Sequence, residues 1–379
     1  VYARTVRRML DETARCDIRT ESTFSAYAAV LRSMLADTGR IHLRTSTSFS
    51  GVEVDDKRIA AITLDSGERV RARYWIDGTG DGALCLAAGC VALRGTDPRP
   101  RFDEPHAPDK HSPVVNGVSL IFRVTPAREP AVEPFPDGIP KKCWWRGKFP
   151  VITCTEYPDG DRNINMLPTM TGRELLAMEK KNPDSGREDA YRECRRRVRA
   201  QWHYLQSEYE EFRRYRLAWI APMLGIRESN RVVCDYMLRE QDLVAGLSGQ
   251  DHDDIIAIAG HPMDTHGAAG AGGHVDEPYG VPYRCLVPEG WKNLLVACRG
   301  AGFSSIAASS CRLSRTMMQL GQAAGNAAVL ADEMDRDLPA VPAGRLRDHQ
   351  RAGHVQLEHP MPQELRDYIT HSEADASRA

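Results

Sequence analysis

Two glycine-bearing segments carry the residue types that a ligand or redox site requires. The first is Tyr74-Trp75-Ile76-Asp77-Gly78-Thr79-Gly80-Asp81-Gly82, with glycine at alternate positions 78, 80 and 82. Glycines so placed let the backbone turn sharply and approach a ligand without Cβ interference. A helix that follows such a turn directs N–H groups and positive dipole at its occupant, which favours a phosphate. Asp81 opposes a phosphate but suits a ribose hydroxyl or a helix cap. A tight strand-to-helix turn with no ligand gives the same pattern. The second segment runs from Asn293 to Arg299, through a loop of small residues, into a helix that includes residues 317–328. Gly321, Ala324 and Ala328 share one face of that helix, with Gly325 beside them. Another backbone, or a flat ring system, can pack closely there. A tightly packed core helix is the alternative.

Single residues add weaker signals. His266 follows Asp264 by two positions in a glycine-rich loop, and a carboxylate can fix an imidazole tautomer for acid–base work. His261 nearby raises the question of a metal, but a loop histidine making surface hydrogen bonds is commoner, and no metal is expected. Arg227 and Arg231 alternate with apolar neighbours and suit either a substrate carboxylate, a cofactor pyrophosphate or structural salt bridges. Arg299 ends its strand at the mouth where a ligand of an open α/β sheet binds, which makes it a catalytic candidate beside His266. Cys298 and Cys311 flank the same loop without a resolving partner, so buried, inert thiols are expected.

The elements that must position these groups follow from periodicity. Residues 23–35 carry one apolar stripe and form a helix ended by Gly39. Strand-like runs at 41–47, 58–64 and 69–76 are joined by Asp-rich or glycine turns, which predicts an antiparallel meander. The third strand enters the glycine turn, and residues 83–88 continue as a short helix. Residues 95–115 read as a linker, 118–124 as a strand and 188–215 as a long helix. Residues 226–238 read as a strand pair, 260–282 as a loop, and 294–297 as a strand before the last long helix. Trp144, Trp145 and Trp202 lie in the middle region, which is expected to hold specificity.

Bulk properties narrow the function. The chain has 379 residues, with 50 Lys+Arg against 52 Asp+Glu, so a net charge of −2 argues against a nucleic-acid binder. The cluster Arg195, Arg196, Arg197 and Arg199 reads as a solvated helix face. Ten cysteines without a Cys-x-x-Cys give no zinc-ribbon or thioredoxin pattern, and reduced thiols in a cytoplasmic setting are the default. No apolar run approaches a membrane span.

Taken together, the segments resemble a known family. Residues 74–82 look like the second glycine motif of two-dinucleotide-binding-domain flavoproteins, usually Asp-Ala-Thr-Gly-Asp. Residues 279–288 and 293–299 resemble the closing FAD segment of FAD-dependent oxidoreductases. Leu320-Gly321-Gln322-Ala323-Ala324-Gly325 is similar to the helix whose N-terminus faces the flavin ring in that family. Residues 225–231, with Tyr236 and Asp242 downstream, and residues 262–266 resemble further family blocks. Several ordered motifs at compatible spacing are far more specific than any one alone. The chain departs from the pattern in having no opening Gly-x-Gly-x-x-Gly, Cys298-Arg299 for Gly-Arg, Ser305-Ile306 for His-Glu, and Arg315 for a helix-start proline.

The resemblance implies an α/β fold: a three-layer FAD/NAD(P)-binding domain, incomplete at its N-terminus, with an inserted α+β substrate domain. The implied division is 1–95 and 221–335 for the FAD-binding domain, 96–220 for the substrate domain and 336–379 for a helical tail. It implies FAD as cofactor, held by Asp77, Gly78, Thr79, Gly80, Asp81, Gly82, Arg299, Gly321, Gln322 and Gly325. The activity implied is hydride transfer between a small organic substrate and flavin N5, with no nucleic-acid or membrane partner and a possible homo-oligomer. A cofactor-free remnant acting as a binding or scaffold protein is the alternative. Without a first phosphate-binding turn, the chain alone is expected to purify with little flavin.

Overall fold

In the computed structural model, residues 22–140, 143–145, 151–157, 159–183, 185–265 and 272–376 are described. Residues Ser22–Ala36 form the expected leading helix. The meander follows, with a first strand that takes in the short run at 52–54 in place of residues 41–47. Its strands are Phe49–Asp55, Arg58–Leu64 and Arg69–Val70, paired antiparallel in that order. Residues 41–47 stay irregular, with Ile41 48% and Leu43 52% exposed. Alternating apolar residues make a strand only where one face has a core to cover, and these have none.

The single run over 69–76 also divides. Arg69–Val70 ends the meander, whereas Trp75–Asp77 joins Leu294–Val296 in a parallel pair, with Trp75 opposite Leu294 and Asp77 opposite Val296. Asn293 fastens this junction. Its side chain accepts from the Ile59 amide at 2.9 Å and donates to the carbonyls of Ile59 and Arg73, both at 3.0 Å. Its own carbonyl accepts the Trp75 amide at 2.8 Å. Because parallel strands end on the same side, residues 78–82 and 297–304 leave the pair together.

The larger core surrounds that pair. Strands Ile255–Ala259 and Tyr279–Pro282 pair antiparallel, and the helix Ser314–Glu333 lays Leu320, Ala323, Ala324 and Ala327 into the core beside them. The helix Ala343–Ala352 packs against that helix and sends Gln350 inward to the Ile256 carbonyl at 3.1 Å. The expected 260–282 loop thus contains a core strand. The expected strand pair over 226–238 reduces to Asn230–Val232, paired with Ala92–Arg94.

A second core draws on residues 115–221. Its four-stranded antiparallel sheet has the order Val151–Glu156, Arg162–Leu167, Phe122–Pro126, Tyr215–Ile220. The helix Gly186–Glu208 covers it with Ala190, Cys194, Val198, Trp202 and Leu205, then gives way to a 3-10 turn at Glu210–Arg214. Trp145 and Trp202 are core residues, Trp202 edge-on to Phe122 and Phe212. Two readings of this region need correction. Arg197 is not on a solvated face: it is buried beneath Trp145, pairing with Glu174 at 2.8 Å and Glu193 at 3.0 Å. The strand expected to start at Val118 starts at Phe122, because residues 118 and 119 make only isolated bridges to Met170 and Gly225. The whole is a mixed α/β structure of several small sheets among the described residues.

Candidate functional site

The parallel pair delivers the glycine turn and the Arg299 loop to the same place. The Ala297 amide donates to the Asp77 carbonyl at 2.9 Å, and Arg299 reaches back across the turn to Asp81 at 2.5 Å. Gly80 has φ +85°, and a Cβ there would lie 2.5 Å from Arg299 Nη1. Only glycine admits both that backbone and that guanidinium. Gly300 lies as close, since its Cβ would meet the Gly82 amide at 3.3 Å and the Asn230 carbonyl at 2.9 Å.

The turn is also braced from within. Asp77 is buried; one carboxylate oxygen accepts from the Thr79 amide at 2.9 Å and hydroxyl at 2.7 Å, and the other accepts from the Cys85 amide at 2.9 Å. Thr79 Oγ1 in turn accepts the Ala83 amide at 2.9 Å. Asp77 and Thr79 therefore shape the turn and cap the helix Ala83–Ala88. Two of the amides expected to face a phosphate are committed to these side chains. What remains open is the backbone at Gly78, where nothing lies within 4 Å of a Cβ position.

Asp81 is the electrostatic centre. Besides Arg299 it pairs with Arg187 at 2.5 Å, and its carbonyl accepts from Asn230 Nδ2 at 3.2 Å. Burial opposes its ionisation, but the Ser229 hydroxyl and the Arg187 and Arg299 guanidiniums outweigh it and hold the carboxyl below its usual range. Arg187 belongs to the second core's helix and also pairs with Glu179 at 3.1 Å, which pairs with Arg94. A chain of alternating charges, Arg299–Asp81–Arg187–Glu179–Arg94, thus locks the covering unit onto the glycine turn. Arg187 and Glu179 were invisible to sequence reasoning, because nothing local distinguishes them from other charged helix residues.

The other candidates fall elsewhere. Arg231 is fully buried and donates to Asp97 at 2.5 Å, to the Gly95 carbonyl at 2.5 Å and to the Phe303 carbonyl at 3.1 Å. It is an internal fastener, and the expectation of a phosphate or substrate contact is corrected: its polar atoms point at protein. The Gln322 side chain donates to the Gly353 carbonyl at 3.4 Å, on the side of the Ala343–Ala352 helix. Gly321 and Gly325 share a face of the helix Ser314–Glu333 at i and i+4, with nothing within 4 Å of either Cβ position. No hydrogen bond or ion pair among the described residues joins that face to the glycine turn. His266 lies outside the described residues. Arg227 donates to the Gly117 carbonyl at 3.0 Å and to the Ser119 hydroxyl at 2.8 Å. Cys298 and Cys311 are buried, and burial pushes both thiols up, Cys311 to about 12. Among the described residues no cluster of His, Cys, Asp and Glu could hold a metal, and no helix is long and apolar enough to cross a membrane.

Comparison with known proteins adds one firm match. The family model described as FAD dependent oxidoreductase matches residues 2–350. No curated protein matches the chain. A solved VirX1 apo structure aligns at 12% identity and a TM-score of 0.33, covering 87% of this chain and 43% of that one. The chain therefore spans less than half of that protein, and the likeness is too slight to argue from.

Proposed function

Because the chain belongs to the FAD dependent oxidoreductase family, we propose that it moves a hydride between a small organic substrate and FAD at the cleft where residues 78–82 meet Arg299. FAD is the cofactor the family requires, and when bound it supplies the redox chemistry at its N5 position. The observation that carries the reading is the parallel pair Trp75–Asp77 and Leu294–Val296, whose two C-terminal loops converge. In open α/β sheets, ligands bind outside the strand C-termini at such a point.

The residues present fit a cofactor of this kind. The open backbone at Gly78 and the bare helix face at Gly321 and Gly325 admit close approach of a ring or chain. Asp81 and the turn's backbone suit hydroxyl groups better than phosphates, since Asp81 is anionic and the Ala83 and Cys85 amides are committed. Arg299 supplies fixed positive charge beside them. The N-terminal end of the helix Ser314–Glu333 favours negative charge, as a reduced flavin carries. The wider arrangement we propose is a three-layer FAD-binding domain interrupted by a substrate domain over residues 96–220.

The test is flavin retention by the full-length gene product. After incubation with FAD and gel filtration, the folded protein carries flavin absorbance at about one equivalent, as a tightly held cofactor does. A folded protein that retains none overturns the reading and favours a cofactor-free binding protein.

A further inference from the structure

The arginines of the helix Gly186–Glu208 fall into two groups. Arg187 pairs with Asp81 and Glu179, Arg192 with Glu188 and Asp189, Arg196 with Glu193, and Arg197 with Glu174 and Glu193. Arg195 and Arg199 differ. Both are exposed, and among the described residues their side chains make no hydrogen bond and no ion pair. Arg195 rests over the Tyr191 ring, 5.8 Å from its centroid.

These two unpaired arginines line one groove. It encloses about 400 Å³ between the helix and Tyr215–Ile220, the strand at the edge of the second core's sheet. Tyr191, Arg195 and Arg199 follow one another at four-residue steps along the helix and form one wall. Leu217, Trp219 and Ile220 of the strand form the other. Every lining residue except the two arginines is uncharged. Mostly apolar walls with a few convergent polar groups, in a volume of roughly 300–1,000 Å³, are what a small-molecule site requires. Two like charges one turn apart also oppose each other on a helix. An anion between them removes that repulsion as well as making its own contacts. Arginines that serve only to solvate a helix need not sort in this way, with the paired ones outside the groove and the unpaired ones inside it.

We propose that this groove binds a small organic carboxylate, its acid group held by Arg195 and Arg199 and its flat apolar body laid along Leu217, Trp219 and Ile220. Guanidinium forks match the two oxygens of a carboxylate and orient it. Aromatic and aliphatic walls take up the remainder of such a molecule and exclude water from it. The site is separate from the glycine-turn cleft. Arg187 reaches Asp81 from the first turn of the same helix, and Arg195 and Arg199 lie about 12 and 18 Å further along at a rise of about 1.5 Å per residue. The groove therefore stands independently of the flavin-enzyme reading.

The test is calorimetric titration of the full-length protein with naphthoate, with uncharged naphthamide and with acetate in parallel. Naphthoate binds saturably, and each of the other two binds at least about tenfold more weakly, because one lacks the charge and the other the apolar body. The double variant Arg195→Gln/Arg199→Gln weakens naphthoate by at least about tenfold; neither arginine has a partner to lose, so folding is retained. Ala218→Glu, an exposed position in the groove, keeps both arginines but supplies a competing carboxylate, and weakens naphthoate in the same way. Absent naphthoate binding, equally tight naphthamide or acetate, or undiminished binding in either folded variant overturns the proposal. The three-ligand comparison on unsubstituted protein decides the matter even if a variant misfolds. FAD retention is scored separately by absorbance, so its failure sinks the flavin reading and leaves the groove standing.

Discussion

Replacing Asp81 by Asn removes the charge that joins the Arg299 loop to the covering helix through Arg187. The side chain of Asp81 is 23% exposed, with Arg299 at 26% and Arg187 at 40%. The two pairs therefore lie between the exposed limit, worth about 0–1 kcal/mol, and the buried limit, where loss of one partner costs about 3–5 kcal/mol. Arg187 keeps Glu179 after the change, so the larger loss falls on Arg299. A destabilisation of about 1–3 kcal/mol follows. The assay is urea unfolding of Asp81→Asn, Arg187→Gln and the double variant at neutral pH, where the cycle should show a coupling of about 1 kcal/mol. The pH dependence has a definite sign. The carboxyl of Asp81 is held below its ordinary range in the folded protein, so its contribution is present above that range and disappears as pH falls through the lowered value. The gap between Asp81→Asn and the unsubstituted protein should therefore close in acid. Equal stabilities at neutral pH, a gap that persists in acid, or strict additivity with Arg187→Gln would refute the argument.

Three further outcomes are expected. Gly80→Ala forces a side chain into φ +85° and against Arg299, so it should cost about 1–2 kcal/mol from backbone conformation alone, read by urea unfolding; an unchanged midpoint would show that the turn relaxes freely. Arg231→Gln leaves buried Asp97 with only the Ser305 amide and the more distant Arg101, and should cost about 3–5 kcal/mol, whereas a loss nearer that of an exposed pair would mean that the fastener is dispensable. Gly321→Leu meets nothing within 4 Å and places a better helix former, so folding should be preserved or improved while FAD retention falls; undiminished flavin content would remove that face from the site.

Much of the local structure was legible. The strand entering residues 77–82, the short helix after it, the strand before Arg299 and the final long helix each announce themselves through glycine spacing or apolar period. The errors share one cause. Residues 41–47 alternate as a strand should but have no core to cover, and residues 69–76 look continuous but serve two sheets. Arg197 looked like surface, yet it is buried against the second core by Glu174, a partner remote in sequence.

The same division governs the site. The order and spacing of the glycine motifs belong to the sequence itself, because a backbone with positive φ or close approach demands glycine wherever the chain folds that way. Family membership is legible for the same reason, since those motifs recur in order over most of the chain. Which charges meet was decided only by the tertiary structure. Arg299 and Arg187 converge on Asp81, and Arg231 turns inward to Asp97. A charged side chain carries no local mark of its partner; the choice among carboxylates more than a hundred residues apart is made by packing, which sets both their distance and the solvent left between them.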